Sequence, residues 1–302
     1  MSVEKEVNIN KFRLIKQIHF YGDVDSILPL KDGSFAYSNG EEIFFVTLDK
    51  ILSPYYVIKN DEDCLSLVEL DDGLICGGKT KIKIWSIKKV TEEVKGTIKL
   101  PDEEQLRSLL LIPGDRFVAN TNLGITIYKS IEPYSDTPVH VVTKDKVSDA
   151  TYIKGRDELI ADDYEKKLIH CWNMTNYQCT RTVQLEVGPT QISIVDDNTV
   201  MFNCNEQFFV LYLSQGKVES IGVNKNCRYN DGSGKGVMLR DGHSMLIAGS
   251  NLSVYDFKTK TLKEKKFEDE VKLKKIAVVN DNTLFTVACG FVQWWKYSKN
   301  NF

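Results

Sequence analysis

Short apolar strands alternate with tight polar turns along the whole chain, and the turns recur at a nearly constant interval. They are Lys31-Asp32-Gly33, Asp71-Asp72-Gly73, Pro113-Gly114-Asp115, Lys154-Gly155-Arg156, Asp196-Asp197-Asn198, Arg240-Asp241-Gly242 and Asn280-Asp281-Asn282. A second marker keeps the same phase, an apolar or aromatic triplet at Val46-Thr47-Leu48, Trp85-Ser86-Ile87, Tyr128-Lys129-Ser130, Trp172-Asn173-Met174, Leu211-Tyr212-Leu213, Tyr255-Asp256-Phe257 and Trp295-Lys296-Tyr297. Two features drifting together at a period of about 40 residues, with no helix-long apolar stripe, predict an all-β propeller array of seven units.

One unit shows why it folds as a sheet. Leu65 to Leu70 is a strand, Asp71-Asp72-Gly73 reverses the chain, Leu74 to Gly78 returns, Lys81 to Ile87 alternates polar with apolar, and Val94 to Leu100 makes a fourth strand. Gly and Asn accept positive φ at little steric cost, which suits such hairpins. The first strand of each unit reads as apolar on both faces, as expected nearest a propeller axis, and the third as one-faced. A lone four-stranded sheet leaves apolar faces exposed, whereas seven stacked around an axis bury them. The blades are expected at about 24–58, 64–100, 106–143, 147–185, 190–222, 236–268 and 272–297, within one domain spanning 1–302. The last unit has room for only three strands, so the apolar stretch within 10–20 is expected to complete blade seven beside Val292 to Tyr297, closing the ring and removing an exposed edge.

The strand, Asp-Gly turn, strand and Ile-x-Ile-Trp order of Leu65 to Ile87, echoed in Leu168 to Met174, resembles the WD-repeat family over essentially the whole chain. The resemblance implies a seven-bladed, usually non-catalytic propeller that holds several protein partners at once. Where the family usually has Asp after the aromatic position, only Tyr255-Asp256 keeps an acid, and the family's Gly-His pair is missing from the loops between blades. The polar network joining that His, the turn Asp and the Trp is therefore not expected here, and packing alone is expected to register the blades.

Composition and charge narrow the function class. The 302 residues are 42% hydrophobic and 10% aromatic, with 39 Lys and Arg against 42 Asp and Glu. No apolar run is long enough to span a membrane, and Met1 is followed by a charged segment, so the chain reads as a soluble cytoplasmic protein, with the nucleus also open. The seven cysteines, Cys64, Cys76, Cys171, Cys179, Cys204, Cys227 and Cys289, lack two-residue spacing and mostly lie in or beside apolar strands, so they read as buried thiols. Loops on the face that carries the blade-to-blade crossovers sum to about −10, against about +7 elsewhere. That crossover face should repel a nucleic-acid backbone and attract basic proteins or peptides.

Candidate chemistry is sparse. His19, His140, His170 and His243 are scattered, and His170 and Cys171 point to opposite faces of one strand. Neither a nucleophile elbow nor a sialidase-type motif appears, and Gly232 to Gly236 lacks the spacing of a phosphate loop. The densest carboxylate run, Asp162-Asp163-Tyr164-Glu165, reads as a solvated loop, or as part of a hard-cation site with Asp145 or Asp149. The loop from Asn224 to Gly236 is the clearly basic one on an acidic face. Arg228 and Tyr229 from it, with Tyr21, Asp23, Asp25, Arg107 and Asp149, and with Asp163 and Tyr164 of the neighbouring cluster, are the candidate partner-binding residues around the axial opening. The expected function is a protein-interaction scaffold with no catalytic residue, metal or cofactor. A propeller hydrolase or lyase using a carboxylate-bound cation, and a permanent subunit of a larger complex, are the alternatives.

Overall fold

The computed structural model of the chain describes residues 12–19, 24–47, 54–86, 93–204, 207–223, 236–239, 242–248, 252–265, 273–280, 283–288 and 291–297. Strand β1 (Phe12–His19) precedes seven groups of strands. Blade one is β2 to β5 (Ser26–Pro29, Phe35–Asn39, Glu42–Val46, Tyr56–Lys59), and blade two is β6 to β9 (Cys64–Glu69, Gly73–Gly78, Lys81–Ser86, Val94–Lys99). Blade three is β10 to β13 (Leu106–Ile112, Arg116–Thr121, Gly124–Lys129, His140–Thr143), and blade four is β14 to β17 (Ala150–Ile153, Glu158–Asp163, Leu168–Asn173, Cys179–Gln184). Blade five is β18 to β21 (Thr190–Asp196, Thr199–Cys204, Gln207–Tyr212, Lys217–Val223), and blade six is β22 to β25 (Gly236–Met238, Ser244–Ala248, Leu252–Asp256, Thr261–Lys265). Blade seven takes β26 to β28 (Leu273–Asn280, Thr283–Ala288, Phe291–Tyr297).

Every blade is an antiparallel sheet in sequence order, except that β1 lies beside β28 as the fourth strand of blade seven. The chain is thus a seven-bladed β-propeller closed by its N-terminal strand, as the short last repeat requires. By contacts it divides into two compact units, 22–188 and 1–21 with 189–302. Among the described residues no helix is long and apolar enough to cross a membrane.

The hairpin turns follow their residue types. Gly33 takes φ +85°, and Asp32 Oδ1 accepts the Ser34 N–H at 2.8 Å, an Asx turn that holds the reversal. Gly73 has a different reason to be glycine: a Cβ there would stand 2.5 Å from the Trp85 carbonyl oxygen. The fourth turn, Lys154–Arg156, is a single 3₁₀ turn followed by Asp157 in the left-handed region. Residues 240–241 and 281–282 of the last two turns lie outside the described residues.

Burial corrects the expected roles of the strands. The second strands are the fully buried ones, as in β7, β15 and β19, while first strands such as β6 and β14 alternate buried with half-buried positions. A second strand has a partner on each side and a blade against each face, whereas a first strand has one free edge. Within each unit, apolar clusters fill the spaces between consecutive blades. Ile75, Ile84 and Ile98 of blade two meet Leu106, Leu109 and Phe117 of blade three, and Met201 and Phe208 of blade five meet Met245 and Tyr255 of blade six.

Packing does not register the blades alone. A first-strand serine repeatedly hooks the first strand of the next blade: Ser26 Oγ accepts the Leu67 N–H at 3.3 Å, Ser66 Oγ that of Leu109 at 3.0 Å, and Ser193 Oγ that of Gly236 at 2.8 Å. Blade seven adds a chain that runs outward from its interior: the buried Trp295 indole donates to Thr286 Oγ1 at 2.9 Å, Thr286 meets Gln293 at 3.2 Å, and Gln293 donates to exposed Gln17 of β1 at 2.9 Å. These bonds replace the missing His and Asp partners with hydroxyls and amides, which carry no ionisation and so suit a dry interior. Thr286→Val, which leaves the buried indole without its acceptor, is expected to cost about 1–3 kcal/mol, read as a lower midpoint in chemical denaturation.

Candidate functional site

Three of the candidate residues on the crossover face, Asp25, Arg107 and Asp163, are bonded to backbone groups. Half-buried Asp25 accepts the Gly40 N–H through Oδ2 at 3.2 Å. Arg107 reaches from blade three toward blade four and donates from Nη1 to the Val147 carbonyl at 2.8 Å. Asp149, Asp163 and Tyr164 come together around the end of β15 with Asp162 and Lys166. Tyr21, Asp23, Arg228 and Tyr229 lie outside the described residues.

Half of the carboxylate run is not a solvated loop: β15 continues through Asp163 and both Asp162 and Asp163 are buried, while Tyr164 and exposed Glu165 stand in the turn that follows. Asp162 Oδ1 accepts the N–H groups of Ser148 (2.8 Å) and Asp149 (2.7 Å), fastening the crossover that starts blade four. Its Oδ2 is buried without a hydrogen-bond partner. Burial, reinforced by the charge of Asp149, pushes the Asp162 carboxyl up to about 8, although the two backbone donors pull the other way. Asp163 Oδ1 caps the turn by accepting the Lys166 N–H at 2.8 Å. Lys166 Nζ lies 2.6 Å from Asp145 and 3.4 Å from Asp163, and the Lys166 bond holds the Asp145 carboxyl below the usual range. Among the described residues, no three His, Cys, Asp or Glu side chains converge as a metal-holding group.

Histidine chemistry is equally local. His140 stacks on Tyr177 with centroids 4.3 Å apart, His170 Nδ1 sits 3.1 Å from Thr182 Oγ1 with its pKa lowered by burial, and buried His243 lies 3.9 Å from Asp256. These contacts join neighbouring strands or elements.

A cleft of about 390 Å³ opens on the opposite face, between the hairpin turns of blades one and two. Its apolar wall is Leu30, Phe45, Tyr55, Tyr56 and Leu70, and its rim is Lys31, Asp32, Glu69, Asp71 and Asp72. Tyr55 is 53% exposed, with its ring centroid 6.4 Å from that of Phe45. Two of the rim carboxylates engage one lysine: Glu69 accepts the Lys31 backbone N–H through both oxygens, and the Lys31 ammonium meets Asp71 at 2.5 Å. Lys95 pairs with Asp72 from outside the cleft, also at 2.5 Å. The exposed Lys31–Asp71 pair contributes about 0–1 kcal/mol, so an incoming cation can replace Lys31 at little cost. Nothing in the repeat spacing marked this cleft. The signal was the coincidence of Tyr55-Tyr56 with two acidic hairpin turns one repeat apart, visible only once the blades are known to stack.

A solved structure with this architecture is the WD40 β-propeller domain of Doa1, which matches with a TM-score of 0.76 over 95% of this chain and 98% of that one. The two share 14% sequence identity, so the likeness carries the fold. No family profile and no curated protein matches the sequence.

Proposed function

We propose that this protein is a non-enzymatic interaction scaffold that holds partner proteins through basic segments. The observation that carries the reading is the cleft between the turns of blades one and two, where an aromatic wall meets a carboxylate-rich rim. An Arg or Lys side chain combines an apolar stem with a cationic head, and such a cleft offers burial for the first and carboxylates with ring faces for the second. The rim is accessible, since the side chain of Asp71 is 97% exposed and that of Asp72 46%. On the crossover face, by contrast, Asp162 and Asp163 are buried and accept from the backbone N–H groups of Ser148, Asp149 and Lys166. The WD40 likeness supports the general class, because that fold presents several faces to protein partners at once.

Fluorescence anisotropy with a labelled hexa-arginine peptide tests the reading. Binding is expected to fall at least about tenfold in Asp71→Lys/Asp72→Lys and to weaken in Tyr55→Ala. Reversing two exposed crossover-face acids, Asp102→Lys/Glu103→Lys, is expected to change it by no more than about twofold. Equal losses in the two charge reversals, or no binding by the unaltered protein, would overturn the assignment to the cleft.

A further inference from the structure

Cys64 and Cys76 are both fully buried, on the neighbouring strands β6 and β7 of blade two, with their sulfurs 2.7 Å apart. Non-bonded heavy atoms normally rest about 3.5–4.0 Å apart, and a disulfide bond is about 2.05 Å long, so this pair lies nearer to bonding than to contact. The register explains the approach. Cys64 stands directly opposite Gly78, and the ladder slips between Cys64 and Ser66. The Cys64 thiol reaches diagonally across the ladder to Cys76, which lies two residues from Gly78 on the same face, while Glu62 fills the space left by the missing Gly78 side chain. The surroundings are apolar, including Leu67, Leu74 and Trp85, with the Asn60 amide 3.5 Å from Cys76 Sγ.

Blade seven supplies an internal comparison. Thr286, two residues beyond the partner of Trp295, accepts its indole N–H. Cys76 holds the equivalent place relative to Trp85, whose indole nitrogen is buried without a hydrogen-bond partner. The thiol at this place is engaged with the other cysteine instead of with the tryptophan.

We propose that Cys64 and Cys76 are an oxidation site that hydrogen peroxide converts to a disulfide across the β6–β7 hairpin. One thiol, as thiolate, attacks a peroxide oxygen; the O–O bond breaks, water leaves after protonation, and a sulfenic acid remains. The second sulfur then attacks the first, forming the S–S bond as the S–OH bond breaks and a second water departs, so two thiols and one hydrogen peroxide give one disulfide and two waters. Both sulfurs are buried, so the reaction proceeds through local opening of the hairpin and is slow compared with that of an exposed reactive thiol. The linked segment contains Glu69 to Asp72, so the disulfide stiffens one wall of the acidic cleft.

The test uses the full chain, treated with hydrogen peroxide, quenched, then unfolded in guanidinium with N-ethylmaleimide and digested with trypsin. Residues 60–79 contain both cysteines and no internal Lys or Arg, so they emerge as one peptide. The expected product is that peptide two hydrogens lighter and unlabelled, returned by dithiothreitol to a doubly labelled form. Peroxide is also expected to raise the thermal midpoint by roughly 5 °C in the unaltered protein and to leave it unraised in Cys64→Ala and Cys76→Ser. Recovery of the peptide doubly labelled, oxygenated on one cysteine, or linked to another cysteine such as exposed Cys179 would overturn the proposal. Because the mass readout involves no ligand, it stands or falls apart from the binding test of the cleft.

Discussion

Removal of residues 1–21 is expected to lower the thermal midpoint by at least about 10 °C, or to abolish cooperative melting, because it takes away the fourth strand of blade seven. Seven positions of β1 pair with β28, from Phe12 with Tyr297 to His19 with Phe291. Phe12 also lies in the cluster of Leu246, Leu252, Leu273, Leu284 and Trp295, with its ring centroid 4.9 Å from that of Tyr297. Truncation therefore opens an apolar core and exposes a row of unpaired N–H and C=O groups on β28, an edge that invites pairing with another chain. Differential scanning calorimetry reads the first effect and size-exclusion chromatography the second. An unchanged midpoint in a monodisperse truncated protein would contradict the closing role of β1. Adding residues 10–20 back as a separate peptide is expected to restore part of the lost midpoint, which distinguishes a missing strand from a general loss of foldability.

Asp162→Ala is expected to cost on the order of 1–3 kcal/mol, since it removes the acceptor of the Ser148 and Asp149 N–H groups and leaves that of buried Asp149 unsatisfied. Asp162→Asn keeps an acceptor oxygen for both and behaves differently with pH. The folded-state pKa of Asp162, near 8, lies above the ordinary carboxylate value, so the folded protein binds a proton there more tightly than the unfolded chain does. The stability this contributes is fully present below about pH 4 and is lost as the pH rises through about 8. The asparagine variant has no such loss, so its stability relative to the unaltered protein should improve by at most about 1.4 kcal/mol per pH unit between those limits and then level off. Urea titrations at pH 5, 7 and 9 measure the slope. A parallel pH dependence in the two proteins would show that Asp162 is ionised throughout, with its two backbone donors outweighing burial and Asp149.

Blade count and strand order were legible because they depend on local chemistry repeated seven times. Asp32-Gly33 and Asp72-Gly73 make turns wherever they occur, and alternation in Lys81–Ser86 marks a half-buried strand without reference to its neighbours. The placement of β1 was legible too, since a three-stranded remainder at one end and a spare strand at the other leave one economical arrangement. Burial within a blade was not: β6 and β7 are both apolar in sequence, and only the sheet order makes one an edge and the other an interior strand. The serine hooks of Ser26, Ser66 and Ser193 were equally hidden, because a serine in a strand looks the same whether it meets solvent or the backbone of the next blade.

The candidate site divided along the same line. Composition placed acid on the crossover face, but it could not tell a carboxylate that faces a partner from one, like Asp162, that is consumed in holding a loop. The cleft needed residues one repeat apart, Lys31 and Asp71 or Asp32 and Asp72, to be brought side by side. Sequence alone determined that this chain forms seven hairpin-rich blades joined at a period of about 40 residues, because turn and alternation chemistry act over a few residues. Tertiary structure alone decided which carboxylates are buried, where an aromatic wall meets an acidic rim, and that Cys64 and Cys76 touch, because each depends on the distance between side chains on different strands or blades.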